Sequence, residues 1–134
     1  ALVERLLPLT TVATPNIPEA RVLAGAGEEA TQEELARGVL ALGPRYVVVT
    51  GGHSEGLVDL FYDGERLVEI PGERHPDGAA HGSGCTHSSA LAAHLARGAE
   101  PLEAARQARA VASAAVGAGL RELGRGPGPV NVFG

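Results

Sequence analysis

A glycine-rich turn that runs directly into a helical pattern is the part of this sequence with the clearest chemistry. Residues 81–86 read HGSGCT, and an alanine-rich amphipathic pattern covers 86–97. The first amides of a helix have no intrahelical acceptor, and the helix dipole adds positive charge there. Glycines also let an anion approach the backbone closely. The turn predicts a phosphate site at Gly82, Ser83 and Gly84, with a plain N-cap at Ser83 as the alternative.

The only cysteine of the chain, Cys85, lies in the same turn. With His81 or His87 beside it, it would resemble the nucleophile of a cysteine-dependent hydrolase, but no third residue to orient a histidine is evident. The five histidines lack the spacing of a zinc site, so we do not expect a metal bound by histidine and cysteine. A single cysteine excludes an internal disulfide and is typical of a cytoplasmic protein.

Two further loops carry residues that suit a metal ion or a phosphate. Asn16 and Glu19 offer the oxygen ligands that Mg²⁺ prefers, with Glu19 acting indirectly through water. The alternative is that Asn16 is a helix N-cap and Glu19 the third helical residue. Thr50, Gly51 and Gly52 follow an apolar run, at the carboxyl end of a predicted strand, where open α/β sheets bind ligands. An ordinary turn is the alternative there.

The elements that position these loops have the order of an α/β protein. A strand over 11–14, helices over 16–23 and 31–42, and a β-branched strand over 46–50 make a βαβ unit, which predicts a parallel sheet. Apolar strands over 57–70, joined by Asp-Gly, then predict a β-hairpin.

Local signals mark several element ends. Thr31 and Glu34 have the spacing of a capping box, so Thr31 is the predicted N-cap of the second helix. Asp63 and Gly64 are predicted to form the tight hairpin turn. Residues 1–7 have the pattern of a helix end that a proline stops.

A last helix is predicted over 101–123, with a buried stripe of small residues: Ala105, Ala108, Ala112, Ala115 and Val116.

Composition bounds the class of protein. The 134 residues have the length of one domain, over 1–134. A net charge of −5 gives no basic surface for nucleic acid, and no apolar run reaches the roughly 18 residues of a membrane span. Because the chain opens on Ala1 within a helical pattern, it has the character of a piece of a longer polypeptide.

Taken in this order, the loops resemble the carboxyl-terminal half of the hydroxymethylpyrimidine/phosphomethylpyrimidine kinase family, within the ribokinase-like superfamily. The similarity rests on TPNIPEA at 14–20, GGH at 51–53, HGSGCT at 81–86 with SSALAA at 88–93, and GPVN at 128–131. The cysteine after Gly-x-Gly is fairly specific, because most ribokinase-like sugar kinases have an aspartate there.

The resemblance implies a three-layer α/β/α Rossmann-like fold with a mostly parallel sheet. It also implies ATP-dependent phosphoryl transfer to the hydroxymethyl group or phosphate of a hydroxymethylpyrimidine in thiamin biosynthesis, with ATP and Mg²⁺ as cofactors. The amides of Gly82, Ser83 and Gly84 would form the anion hole for the transferred group. Cys85 would polarise or deprotonate the substrate hydroxyl.

The other loops receive roles from the same resemblance. Asn16 and Glu19 match the family's Asn-x-x-Glu, which is linked to Mg²⁺ and phosphate. The strand end at 50–52 and the final helix around Ala112 would border the nucleotide.

The chain also departs from the family pattern. Thr50 stands where the family usually has a lysine, Ala79-Ala80 replace Asn-Thr, and the family's amino-terminal half is absent. We therefore expect the 134-residue chain alone to be a very poor kinase. The alternative is a truncated or diverged non-catalytic domain that binds nucleotide or phosphate, or self-associates. An exposed apolar surface would favour a homo-oligomer.

Overall fold

The computed structural model forms two compact units, Ala1–Pro71 and Gly72–Gly134. It describes residues 1–51, 58–73, 75, 78–123, 125, 126 and 128–134. The single domain over 1–134 stays a prediction.

The regular elements confirm an α/β protein. The strands are β1 Val12–Ala13, β2 Tyr46–Val49, β3 Val58–Tyr62 and β4 Leu67–Pro71, and the α-helices are α1 Ile17–Ala24, α2 Gln32–Leu40, α3 Ser83–Ala96 and α4 Pro101–Gly117. No helix among the described residues is long and apolar enough to cross a membrane.

The first unit contains a four-stranded sheet in the order β1-β2-β3-β4. Strands β1 and β2 are parallel, whereas β2–β3 and β3–β4 are antiparallel. Among the described residues the sheet is therefore mixed, and the expectation of a mostly parallel sheet needs correction. The reason is that the hairpin supplies two of the four strands, and β3 pairs directly with β2 in the opposite direction.

Helix α2 packs on β2 and β3 and closes the core of the first unit. Leu35 and Val39, one helical turn apart, are fully buried. Val47, Val48 and Val49 are also fully buried, so both faces of β2 are covered, as its β-branched run predicts.

The hairpin between β3 and β4 is confirmed as a tight turn, with its centre one residue later than predicted. Asp63 N–H donates to the Arg66 carbonyl at 3.3 Å, so Gly64 and Glu65 are the central residues. Gly64 has a φ of +98°, which a glycine adopts without strain. The Asp63 carboxylate accepts hydrogen bonds from the amides of Glu65 and Arg66 and from the Arg66 guanidinium.

The second unit is built on the packing of α3 against α4. The predicted small stripe of α4 is confirmed at Ala105, Ala108, Ala112 and Ala115, which are all buried, whereas Val116 is half-buried. Helix α4 ends at Gly117, six residues before the predicted end.

The carboxyl-terminal segment of the second unit is tied to the turn before α3. His81 forms a β-bridge with Pro129, and the Leu120 amide donates to the Pro129 carbonyl at 2.9 Å. These bonds join Leu120 and His81 to the segment at Pro129, a pairing that the helical pattern of the sequence did not indicate.

The prediction that residues 1–7 form a helix end stopped by a proline also needs correction. Leu2–Leu6 form a π-helix and Leu7–Leu9 a 3₁₀ helix, so Pro8 lies inside a helical turn. Proline is tolerated there because a first-turn N–H has no helical acceptor to lose.

Candidate functional site

Helix α3 begins without a side-chain cap. Its N-cap is Gly82, with a φ of +90°, and no side chain hydrogen-bonds to its first turn. The Ser83 amide donates to the Ala80 carbonyl at 3.1 Å. Within the described part of the chain, no acceptor receives the amides of Gly84 and Cys85. This helix end therefore presents two open donors at the positive end of a 14-residue helix.

This geometry changes the predicted donor set. Ser83 is the first helical residue rather than the N-cap, and its amide is already used in a turn back to Ala80. Of the predicted donors Gly82, Ser83 and Gly84, only Ser83 has an acceptor among the described residues, and Cys85 adds a further open amide. A Cβ added at Gly84 would meet nothing within 4 Å, so packing does not require glycine there.

The thiol of Cys85 is exposed, and no hydrogen bond from the described residues reaches it. His81 is exposed and His87 is 3 % exposed. The histidine–cysteine pair that a hydrolase nucleophile needs is therefore not formed between these described residues.

In the first unit, Asn16 and Glu19 form the capping box of α1. Asn16 Oδ1 accepts the Glu19 amide at 2.8 Å, and Glu19 Oε2 accepts the Asn16 amide at 3.0 Å. Asn16 also forms a parallel β-bridge with Thr50, whose amide donates to the Pro15 carbonyl at 2.9 Å. Two loops that are 34 positions apart in the sequence thus lie side by side at the carboxyl ends of β1 and β2.

The oxygen atoms at the carboxyl ends of β1 and β2 are compatible with a magnesium ion held through water. The capping box uses Oε2 of Glu19, and the exposed side chain retains Oε1 as a hard oxygen donor. No cluster of three or more His, Cys, Asp or Glu side chains suited to a metal occurs among the described residues. Mg²⁺ commonly keeps several waters and takes phosphate oxygens, so one carboxylate acting through water is compatible with it.

Asp59 and Gln32 were missed by the sequence reasoning. Asp59 is fully buried, and its Oδ1 accepts the Gly51 amide at 3.0 Å. Gln32 Nε2 donates to the carbonyls of Val49 and Val58 at 2.9 and 3.0 Å. An acidic residue inside the apolar run of β3 was the one available signal.

The remaining predicted site residues are Ala112 and Gly52. Ala112 is 6 % exposed on α4 of the second unit. Gly52 lies outside the described residues.

Adjoining loops at the carboxyl ends of strands and an uncapped helix amino terminus are places where α/β proteins bind anionic ligands. Similar solved structures define the class more narrowly. The pyridoxal kinase from Staphylococcus aureus in complex with AMP-PCP matches with a TM-score of 0.91 at 31% identity, covering 98% of this chain and 50% of that one. The fold class is therefore the ribokinase-like α/β class of vitamin kinases.

The family model described as Phosphomethylpyrimidine kinase matches residues 1–131, and the chain belongs to this family. A hydroxymethylpyrimidine/phosphomethylpyrimidine kinase of Rhizobium meliloti is 45% identical over 99% of this chain and 52% of its own length. A pyridoxine kinase of Bacillus subtilis is 43% identical over 87% of this chain and 45% of its own length. The chain thus spans about half the length of these relatives.

Proposed function

We propose that this chain forms the ATP-binding part of a kinase that phosphorylates a hydroxymethylpyrimidine or its phosphate. The observation that carries the proposal is the open amino terminus of α3, where the amides of Gly84 and Cys85 have no protein acceptor among the described residues. Membership of a kinase family and similarity to a structure that holds AMP-PCP support the phosphate of a nucleotide as the anion.

The chemistry proposed for α3 is charge stabilisation. The open amides and the helix dipole would stabilise the negative charge of the transferred phosphoryl group. Cys85, exposed in the same turn, would polarise the acceptor hydroxyl or take its proton while the hydroxyl oxygen attacks the γ-phosphorus and ADP leaves.

The roles proposed in the first unit concern the nucleotide and its metal ion. Glu19 would hold Mg²⁺ through water, and Asn16 would fix Glu19 by the capping box. Thr50, Gly51 and Gly52 would border the nucleotide. Bound Mg²⁺ would neutralise phosphate charge during the transfer.

In the second unit, Ala112 on α4 is proposed to border the nucleotide. Support for this role comes from the family resemblance, because the Ala112 side chain itself is buried.

A pyridoxal-type vitamin is the second candidate acceptor, because a 43% identical relative is named pyridoxine kinase. Nucleotide binding without turnover is the remaining alternative, because Thr50 cannot give the phosphates the charge of a lysine. The 134-residue chain is also expected to turn over slowly, since acceptor positioning alone is worth roughly 7–11 kcal/mol and the chain spans about half of its relatives.

Titration calorimetry with ADP, with and without Mg²⁺, tests the proposed binding. We expect the wild-type chain to bind ADP, and inorganic phosphate to compete. Gly84→Ala should weaken binding several-fold by placing a methyl group near the open amides. Gly126→Ala is the matched control, because an added Cβ meets nothing within 4 Å there either. Equal affinities of the two variants would contradict the α3 phosphate site.

ADP release in the presence of hydroxymethylpyrimidine, its phosphate or pyridoxal then separates the acceptors. Release above the ATP-only background with the pyrimidines alone supports the first candidate, and release with pyridoxal alone supports the second.

A further inference from the structure

The amino end of β3 lies beside the carboxyl end of β2, because the two strands are antiparallel and Val49 pairs with Leu60. Asp59 is therefore next to the turn that follows β2. Its side chain is fully buried, and Oδ1 accepts the Gly51 amide at 3.0 Å. A hydrogen bond to a charged acceptor is about twice as strong as one between neutral groups.

Helix α2 adds a second restraint at the same point. The side-chain amide of Gln32, the first residue of α2, donates to the carbonyls of Val49 and Val58. One side chain thus connects the last residue of β2 with the first residue of β3.

The turn is also held by its own backbone. Thr50 N–H donates to the Pro15 carbonyl, on the β1 side. A Cβ at Gly51 would collide with the Val58 carbonyl, so the backbone approaches β3 more closely than any side chain allows. Contacts from β1, β3 and α2 therefore fix Thr50 and Gly51.

We propose that Asp59 and Gln32 are positioning residues, which hold Thr50 and Gly51 in the conformation that binds the nucleotide. The inference rests on the proposed function. Apolar residues occupy most of the other positions of β3, and burying a carboxylate there has a large desolvation cost that its bond to Gly51 helps to offset. Neither residue contacts the nucleotide in this proposal, and both act through the backbone of the turn.

The test combines NMR of the ¹⁵N-labelled 134-residue chain with ADP titration of the same variants. Asp59→Asn should shift the Gly51 amide proton and weaken ADP binding roughly tenfold, the size expected for one charge-assisted hydrogen bond. Gln32→Leu should weaken ADP binding roughly threefold, because neutral hydrogen bonds contribute less.

Asp63→Asn is the matched control at the opposite end of β3, where the carboxylate also accepts backbone amides. It should lower the melting temperature and leave both the Gly51 amide and the ADP affinity unchanged. Comparing Asp63→Asn with Asp59→Asn therefore distinguishes a positioning role of Asp59 from a general contribution to protein stability.

ADP affinity of Asp59→Asn within about twofold of wild type, or an unmoved Gly51 amide, would overturn the proposal. If Asp59→Asn does not fold, an unchanged ADP affinity of Gln32→Leu overturns it. Failure of the wild-type chain to bind ADP would count against the proposed function instead, and the response of the Gly51 amide would still decide whether Asp59 holds the turn.

Discussion

Helices α1 and α3 both begin next to candidate ligand loops, yet their first turns are satisfied in opposite ways. At α1 the side chains of Asn16 and Glu19 form a reciprocal capping box. At α3 the N-cap is Gly82, which has no side chain, and the amides of Gly84 and Cys85 stay open within the described structure. The protein thus satisfies one helix end with its own side-chain oxygens and, among the described residues, leaves two amides of the other without a protein acceptor.

The difference has an energetic meaning. A polar N-cap contributes about 1 kcal/mol relative to alanine but only about a few tenths of a kcal/mol relative to glycine, so Gly82 makes the open end of α3 inexpensive. Helix α2 has the same box as α1, formed by Thr31 and Glu34, but among the described residues no β-bridge joins its N-cap to a candidate ligand loop. A capping box alone therefore does not mark a site, and the β-bridge from Asn16 to Thr50 is what distinguishes α1.

The largest effect is expected from a variant that adds a carboxylate to the open first turn of α3. Gly84→Asp places a negative charge where the phosphate is proposed to bind, and space is available for its Cβ. We expect ADP affinity to fall at least roughly tenfold, while the helix gains about 0.3–1 kcal/mol from the dipole. Calorimetry and thermal melts measure the two effects, with Gly84→Asn as the neutral control. An equal loss of ADP affinity in Gly84→Asp and Gly84→Asn would show that side-chain size, rather than charge, weakens binding.

A second change adds the charge that the family usually places beside the α1 loop. Thr50→Lys should tighten ATP binding roughly fivefold through a phosphate contact, without raising turnover, since acceptor positioning is unaffected. The gain should shrink at high salt because charge pairs are screened. Thr50→Gln is the control, because the glutamine side chain is similar in length to lysine but neutral. An equal gain with glutamine would refute the electrostatic explanation.

Removing the caps of α1 and α2 compares two similar boxes. Asn16→Ala and Thr31→Ala should each lower the free energy of unfolding by about 1 kcal/mol, measured by urea denaturation. Only Asn16→Ala should also weaken Mg²⁺-dependent ADP binding, because Asn16 orients Glu19 beside Thr50. A matching loss of binding in Thr31→Ala would remove the distinction between the two helix ends.

The smallest expected effect concerns acid stability at the hairpin turn. Hydrogen bonds from the Arg66 amide and then the Glu65 amide lower the pKa of Asp63 from 3.8 to about 2. Because the folded pKa lies below the unfolded one, the stabilisation is complete above about pH 4 and is lost as the pH falls towards 2.

Asp63→Asn should therefore flatten the dependence of unfolding free energy on pH between about 4 and 2. Denaturation at several pH values measures it, with Glu65→Gln as a control at the same turn. An unchanged slope in Asp63→Asn would contradict the assigned cause.

Local sequence determined the features that depend on neighbours in the chain. The boxes at Asn16 and Thr31 and the turn at Asp63 follow from side chains that reach amides two or three residues away. The α/β class and the kinase family were also predicted, since a few short motifs and the order of elements define them.

Tertiary structure decided what depends on distant residues. The mixed sheet follows from the pairing of β3 with β2, and the bridge from Asn16 to Thr50 joins loops that no local pattern connects. The pairing of Pro129 with His81 likewise joins positions that are distant in the sequence. The sequence did not single out Asp59, because the partner of its carboxylate is the Gly51 amide, eight residues away in the turn after β2. Spacing in the sequence indicates which residues lie on the same helix or strand. The hydrogen-bond partner of a buried side chain depends instead on how the strands pair.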